Sequence, residues 1–230
     1  MNTPTAVHAN MPAIELFEGL PVDHCKKILA NSRERRFGPS EVIFRAGDLR
    51  KCIFLLLEGR VKITQSSARG GDVILFINLP GQVIGSLVLS PESTHSSTAR
   101  AIEFCQAVEW DYASCESSLQ EHPLLVRNAQ RIIARQYGEL GCRIREVSTE
   151  CSESRLAKGL VRLIAQIGRR VHDRYELNLS QRDLAQMTAV SHYTANRQLR
   201  EWQRQGLLLR RNRTIVILDL PRLKRLAALG

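Results

Sequence analysis

Ser191-His-Tyr-Thr-Ala-Asn-Arg197, followed by Arg200, crowds hydrogen-bonding side chains into one short stretch near the C-terminal end of the chain. Residues of these types recognise a surface more readily than they make or break bonds. An arginine fork pairs bidentately with guanine O6 and N7, and an asparagine amide with adenine N6 and N7. Arg197 and Asn196 are the candidates for those contacts, with His192, Tyr193 and Arg200 on the same exposed turns. Ser191 and Thr194, at a helix start, suit phosphate oxygens. A plainer reading has Tyr193 packed on the protein and Arg200 paired with a carboxylate. Arg210, Arg211 and Arg213 form a second basic group shortly afterwards.

No comparable set points to catalysis. The cysteines (Cys25, Cys52, Cys105, Cys115, Cys142, Cys151) form no CxxC pair. The histidines (His8, His24, His95, His122, His172, His192) form no HxH or HExxH. Zinc sites need such spacings. No catalytic residue, metal ligand or cofactor is expected. With no basic-then-apolar leader the thiols are expected to be reduced and the chain cytoplasmic.

The elements that must position these residues are legible. Ser180 is a natural N-cap, and Asp183 three residues on makes a capping-box-like pair. The short helix that follows carries Leu184, Ala185 and Met187, and small Ala185 and Ala189 allow a tight crossing. Ser191 caps a second helix that buries Ala195, Leu199 and Trp202, and Gly206 ends it. Two helices on so short a turn are a helix-turn-helix, with the second as recognition helix. Leu207 to Leu218 then reads as two apolar strands around Arg-Asn-Arg, a hairpin wing whose arginines would lie against a DNA backbone.

Upstream, Arg155 to Val171 reads as an amphipathic helix with Leu156, Leu160, Leu163, Ile164 and Ile167 on one side. Polar Ser148 to Ser154 reads as a hinge. From His122 to Val147 runs a long helix. Its stripe Val126, Ala129, Ile133, Tyr137, Leu140, Ile144 and Val147 recurs every 3.5 residues on average, the period of a coiled-coil seam. Gly138 and Gly141 would permit close backbone approach, and Arg127, Arg131, Arg135, Arg143 and Arg145 flank the stripe. A dimer seam is the expectation; packing against the helix's own domain is the alternative.

Before Tyr112 the texture is that of short strands: Glu41–Phe44, Cys52–Leu57, Arg60–Thr64, Asp72–Ile77, Gln82–Ile84 and Ala107–Trp110. Gly38-Pro39, Ala46-Gly47-Asp48, Glu58-Gly59, Gly70-Gly71-Asp72 and Pro80-Gly81 separate them. Such spacing implies an antiparallel barrel or roll. Residues from about Pro12 to Ala30 read as short helical material, and Met1 to Asn10 as a flexible lead. Charge divides the chain the same way. Residues 1–150 carry 17 Lys+Arg against 17 Asp+Glu, while residues 151–230 carry 16 against 6, so the whole net charge of +10 lies in the last third. A compact basic unit beside a neutral one suits a polyanion partner. No apolar run approaches the roughly 18 residues of a membrane span.

With these motifs in place the chain resembles the catabolite-activator/fumarate-nitrate regulator (CRP/FNR) superfamily. The resemblance rests on Phe44-Arg-Ala-Gly-Asp48, Phe54-Leu-Leu-Leu-Glu-Gly-Arg-Val-Lys62, Leu79-Pro-Gly-Gln-Val-Ile-Gly85, the long helix and the motif Leu179 to Leu199. It implies an α+β chain: a cyclic-nucleotide-binding-like antiparallel β-roll over residues 12–120, a dimerisation helix over 121–148 and a winged helix-turn-helix over 149–230. A homodimer on a two-fold site in double-stranded DNA is implied, with half-sites about 34 Å apart. RNA polymerase and an unidentified small-molecule effector are further candidate partners.

Two departures bear on function. The family's recognition helix commonly begins Ser-Arg-Glu; here His192 and Tyr193 replace the Arg-Glu pair, leaving the half-site open. The family's ribose-binding Gly-Glu-Leu reads Gly85-Ser86-Leu87, and its phosphate-binding Arg-Ser/Thr falls in His95-Ser96-Ser97-Thr98, with the next arginine at Arg100. Burying a phosphate without a cation is costly. Cyclic AMP is therefore not the expected effector. The cysteines lack the N-terminal clustering of the iron–sulfur members, and no histidine is placed as a haem ligand. Two other classes compete with this reading. A ligand- or redox-sensing module would use Cys105, Cys115 or Cys142; a cupin-like metalloenzyme would need clustered ligands that are absent.

Overall fold

An unbroken apolar run can be buried on both faces of a sheet, and Ile53 to Leu57 is such a run. In the computed structural model, which describes residues 14–30, 32–66, 71–87 and 93–229, it forms the third strand of a β-roll. The expected flexible lead Met1–Asn10 lies outside the described residues. The chain divides into two compact units, residues 1–138 and 139–230.

In the first unit a 3₁₀ turn (Glu15–Phe17) and helix α1 (Val22–Ile28) precede eight strands. These are β1 (Arg33–Phe37), β2 (Val42–Phe44), β3 (Cys52–Glu58), β4 (Val61–Ser66), β5 (Asp72–Asn78), β6 (Val83–Ile84), β7 (Thr98–Ala101) and β8 (Cys105–Asp111). They make two four-stranded sheets, ordered β1-β8-β3-β6 and β2-β7-β4-β5, with every pairing antiparallel. Side chains on a strand alternate between faces. Ile53, Leu55 and Leu57 enter a core with Trp110 and Leu125; Phe54 and Leu56 enter a second core with Val61 and Ala99. Gly59 turns β3 into β4 at φ +84°, where a Cβ would lie 2.2 Å from the Phe104 carbonyl oxygen. Only glycine fits there. Beside it, Arg60 and Glu103 form a two-pronged ion pair, both contacts at 2.8 Å.

In this first unit two strands are absent from the sequence expectation. β1 is absent from it because four of its five residues are charged and only Phe37 is buried. β7 is absent from it because Thr-Ala-Arg-Ala has no large apolar residue, although Ala99 and Ala101 are fully enclosed.

Helix α2 (Tyr112–Glu121) starts on Asp111, whose carboxylate accepts from the Ser114 N–H at 2.9 Å. Helix α3 (Pro123–Thr149) is the long helix the periodicity requires. Its first half turns Leu125, Ala129 and Ile132 into the core. Asn128 Nδ2 donates to the carbonyls of Leu16 and Glu18 at 2.9 Å each, and Arg131–Glu18 and Arg135–Glu15 ion pairs flank it.

The second unit packs helix α4 (Ser152–Ile167), α5 (Gln181–Met187), α6 (His192–Arg204) and α7 (Leu220–Ala228) with a sheet ordered β11-β12-β10-β9. Its strands are β9 (Arg169–Val171), β10 (Arg174–Asn178), β11 (Leu208–Arg211) and β12 (Thr214–Ile217). The expected helix Arg155–Val171 thus stops four residues early. Gly168 breaks it, and Arg169–Val171 pairs with β10 around a turn where His172 takes φ 56°. The polar stretch Ser148 to Ser154 narrows to a break at Glu150-Cys151. It is stitched by charge: Glu150, with its side chain 1% exposed, accepts from Lys158 at 2.6 Å, and Glu146 pairs with Arg162 at 2.5 Å. The Lys158 hydrogen bond is the main cause that holds the Glu150 carboxyl below the usual range. No helix among the described residues is long and apolar enough to cross a membrane.

Candidate nucleic-acid interface

The interface grows from two capped helices. Ser180 Oγ accepts from the Asp183 N–H at 3.0 Å and donates to the Asp183 carboxylate at 2.5 Å, fixing the start of α5. Leu184, Ala185 and Met187 are buried as expected. Ala189, by contrast, is an exposed turn residue at φ 52°, not a packing residue. A separate close approach, between α4 and the end of α5, is made at Gly159, where a Cβ would lie 2.4 Å from Thr188 Cγ2. Sequence spacing carries no sign of that contact, because the partners are 29 residues apart.

Ser191 Oγ accepts from the Thr194 N–H at 3.0 Å and starts α6. Ala195, Leu199 and Trp202 face inward. The Trp202 indole donates to Glu153 Oε1 at 3.3 Å, and Gln198 donates to the same oxygen at 3.0 Å. At the other end Gly206 takes φ +70°. Its N–H bonds the Gln203 carbonyl and the Leu207 N–H bonds the Trp202 carbonyl, a Schellman closure. That closure aims the chain directly into β11. The hairpin β11–β12 turns at Asn212, φ 48°, in a left-handed conformation that asparagine tolerates.

The outward face of α6 carries the expected side chains. His192, Tyr193, Arg197 and Arg200 are exposed, Tyr193 at 74%. Tyr193 therefore does not pack on the protein. Among the described residues neither Arg197 nor Arg200 has an ion-pair partner, and the same holds for exposed Arg211 and Arg213 on the wing. Ser191 and Thr194 sit at the helix N-terminus, where free N–H groups and the helix dipole favour an anion. Two residues depart from expectation. Arg210 is not at the wing tip; it turns back onto Gln203, Asn196 and Gln181. Asn196 is half-buried and already bonded at both ends of its amide, to Arg210 and to His192.

In the first unit, Gly85 takes φ +113° over Ile53, the Ser86 carbonyl accepts from the Tyr112 hydroxyl at 2.9 Å, and Leu87 is buried. Ser96, Ser97 and Thr98 lead into β7. The Ser96 carbonyl accepts from Gln65, Ser97 is half-buried, and Thr98 Oγ1 accepts from the Ala46 N–H at 3.1 Å. His95 is buried and stacked on Phe44 at 3.7 Å, with burial lowering its pKa. Arg100 donates to the Ser40 carbonyl at 2.6 Å.

Along α3, Val126, Tyr137, Ile144 and Val147 are exposed, Tyr137 at 80%, and Leu140 is half-buried. The structure removes Ala129 from this stripe and draws Ile133 partly in. Both pack against the helix's own core, because position 129 shares a face with Leu125 and Ile132. The space around Gly138 and Gly141 is open. Of the candidate sensor thiols, Cys105 and Cys115 are buried; burial pushes Cys105 up and Cys115 up to about 12. Both stay thiols, the unreactive form. Cys142 is exposed.

A β-roll followed by a long helix and a winged helix-turn-helix with a bare cationic face defines a DNA-binding regulator. Comparison with known proteins agrees. The cyclic nucleotide-binding domain family matches residues 34–122, and the Crp-like helix-turn-helix domain family matches residues 154–226. A CRP-like cAMP-activated global transcriptional regulator from Mycobacterium tuberculosis is 23% identical, over 92% of this chain and 96% of its own. A cyclic AMP receptor protein from Thermus thermophilus is 24% identical, over 86% and 89%. Among solved structures, the c-di-GMP-responsive global regulator CLP of Xanthomonas campestris superposes with a TM-score of 0.79 at 20% identity, covering 86% of this chain and all of that one. FixK2 from Bradyrhizobium japonicum gives 0.76 at 21% identity, covering 86% and 98%. The chain belongs to the CRP/FNR family of DNA-binding transcription regulators, a family of regulators and not of enzymes.

Proposed function

We propose that this chain reads a two-fold symmetric duplex site as a homodimer, in the cytoplasm, without cyclic AMP as its effector. The bare face of α6 and the wing carries the DNA part of this reading. Arg197, Arg200, Arg211 and Arg213 are exposed, and among the described residues no carboxylate pairs with them. Phosphates and guanine edges are the ligands that suit such groups. The dimer part rests on Tyr137, Ile144 and Val147, large apolar side chains that a lone helix leaves in water.

Two of the relatives are named for cyclic AMP. Against carrying that ligand over stand Gly85-Ser86-Leu87, with no carboxylate for a ribose, and His95-Ser96-Ser97-Thr98, with no arginine before Arg100, which itself donates to the Ser40 carbonyl. RNA polymerase would be the partner through which bound protein acts on transcription. The test is selection of a random duplex library at fixed salt, with and without cyclic AMP. An inverted repeat with half-sites about one helical turn apart, enriched equally in both arms, is expected. An asymmetric motif would sink the homodimer; enrichment only with the nucleotide would make it the effector.

A further inference from the structure

Arg210 turns away from the wing tip and into the root of the hairpin. Its Nε donates to Gln203 Oε1 at 3.1 Å, and its Nη1 to Asn196 Oδ1 at 3.3 Å and Gln181 Oε1 at 3.5 Å. A guanidinium offers five N–H donors and no acceptor. The Asn196 carboxamide must therefore turn its oxygen to Arg210 and its nitrogen the other way. There Nδ2 meets His192 Nε2 at 2.8 Å. An amide NH2 only donates, so Nε2 accepts, and the proton of the neutral ring sits on Nδ1. Reversing the amide would set NH2 against guanidinium and lose that bond, whereas the ring could answer by carrying its proton on Nε2; Arg210 is therefore the partner that fixes the polarity. One all-donor side chain rooted in the wing thus sets the polarity of two side chains on the recognition helix.

We propose that Arg210 is a specificity-positioning residue. It withdraws Asn196 from the base edges and makes His192, through Nδ1–H, the donor that the first turn of α6 presents. His192 is exposed and its Nδ1 has no partner among the described residues. A lone N–H suits an edge that only accepts, and guanine offers two such atoms in the major groove, N7 and O6, where thymine offers O4 alone beside its methyl group. Adenine needs the paired donor and acceptor of a free amide, and the Asn196 amide is not free. The inference rests on the reading of α6 as the helix that reads DNA.

Two experiments on the full chain test it. Nitrogen-15 NMR of histidine-labelled protein, without DNA, reads the His192 tautomer. The Nδ1–H form is expected, with a change in Arg210→Met, which keeps the aliphatic stem and removes the donors. An Nε2–H ring, or a ring indifferent to Arg210→Met, overturns the proposal. Library selection then compares wild type, Arg210→Met and Asn196→Ala. At one position per half-site the wild type is expected to prefer guanine. Arg210→Met should move that preference toward adenine on the order of tenfold, the worth of one bidentate contact. Asn196→Ala should gain no adenine preference and weaken the guanine one, because nothing then holds the His192 proton on Nδ1, and it supplies the answer if Arg210→Met fails to fold. A motif unchanged in Arg210→Met, or an adenine preference lost in Asn196→Ala, overturns Arg210's role alone. A wild-type chain that enriches no motif overturns the reading of α6 itself.

Discussion

Arg197 and Arg213 are both exposed arginines without an ion-pair partner among the described residues, yet their surroundings suit them to different tasks. Arg197 sits on the exposed face of α6 and Arg213 at the tip of the hairpin, so on the proposed function the first would meet a base pair and the second the DNA backbone. Arg197→Ala should cost about 1–3 kcal/mol on the selected site and relax its sequence there. Equal losses on every duplex would contradict base reading. Arg213→Ala should weaken all duplexes alike and lower the slope of log affinity against log salt by about one; an unchanged slope would remove the wing from the interface. The residue types alone announced both arginines. They did not announce Arg210, because its partners at 181, 196 and 203 converge only when α5, α6 and β11 are assembled.

At the level of elements, legibility followed local chemistry. The helix-turn-helix was readable because its caps and its terminal glycine occur at fixed offsets from buried residues. β9 and β10 escaped because Arg-Arg-Val and Arg-Tyr-Glu-Leu-Asn bury only Leu177 between them and depend on β12 for pairing. Two contacts between elements give predictions. Gly159→Ala pushes a methyl to within 2.4 Å of Thr188 Cγ2, and Thr188 is itself buried and bonded to the Leu184 carbonyl at 2.8 Å. Overpacking of this kind costs about 1–3 kcal/mol; a chain as stable as wild type to denaturant would show that α4 and α5 can separate freely. The second contact is the Lys158–Glu150 pair. A carboxyl held low in the folded state stabilises it above the unfolded pKa, about 4.3 for Glu. That support is lost as the pH falls through the folded value. Lys158→Met should therefore lower stability at pH 7 and shrink the further loss between pH 5 and 3. Denaturation curves with the same pH dependence as wild type would assign the shift to another group.

For the molecule as a whole, the division of charge seen in the chain falls close to the division of structure: residues 139–230, the unit that carries the recognition helix, hold 18 Lys+Arg against 9 Asp+Glu, while residues 1–138 hold 15 against 14. Ile144, 69% exposed, lies toward the C-terminal end of the apolar stripe. Ile144→Arg should leave the fold intact and halve the sedimenting mass; a variant that stays paired would place the seam elsewhere. The exposed stripe has a further consequence. A surface that leaves water only when two chains meet ties folding to mass action, and the melting temperature should climb as the protein is concentrated. For a regulator made in few copies per cell, the rate of its own synthesis would then be a signal, setting how many molecules are paired and able to hold DNA before any small molecule arrives.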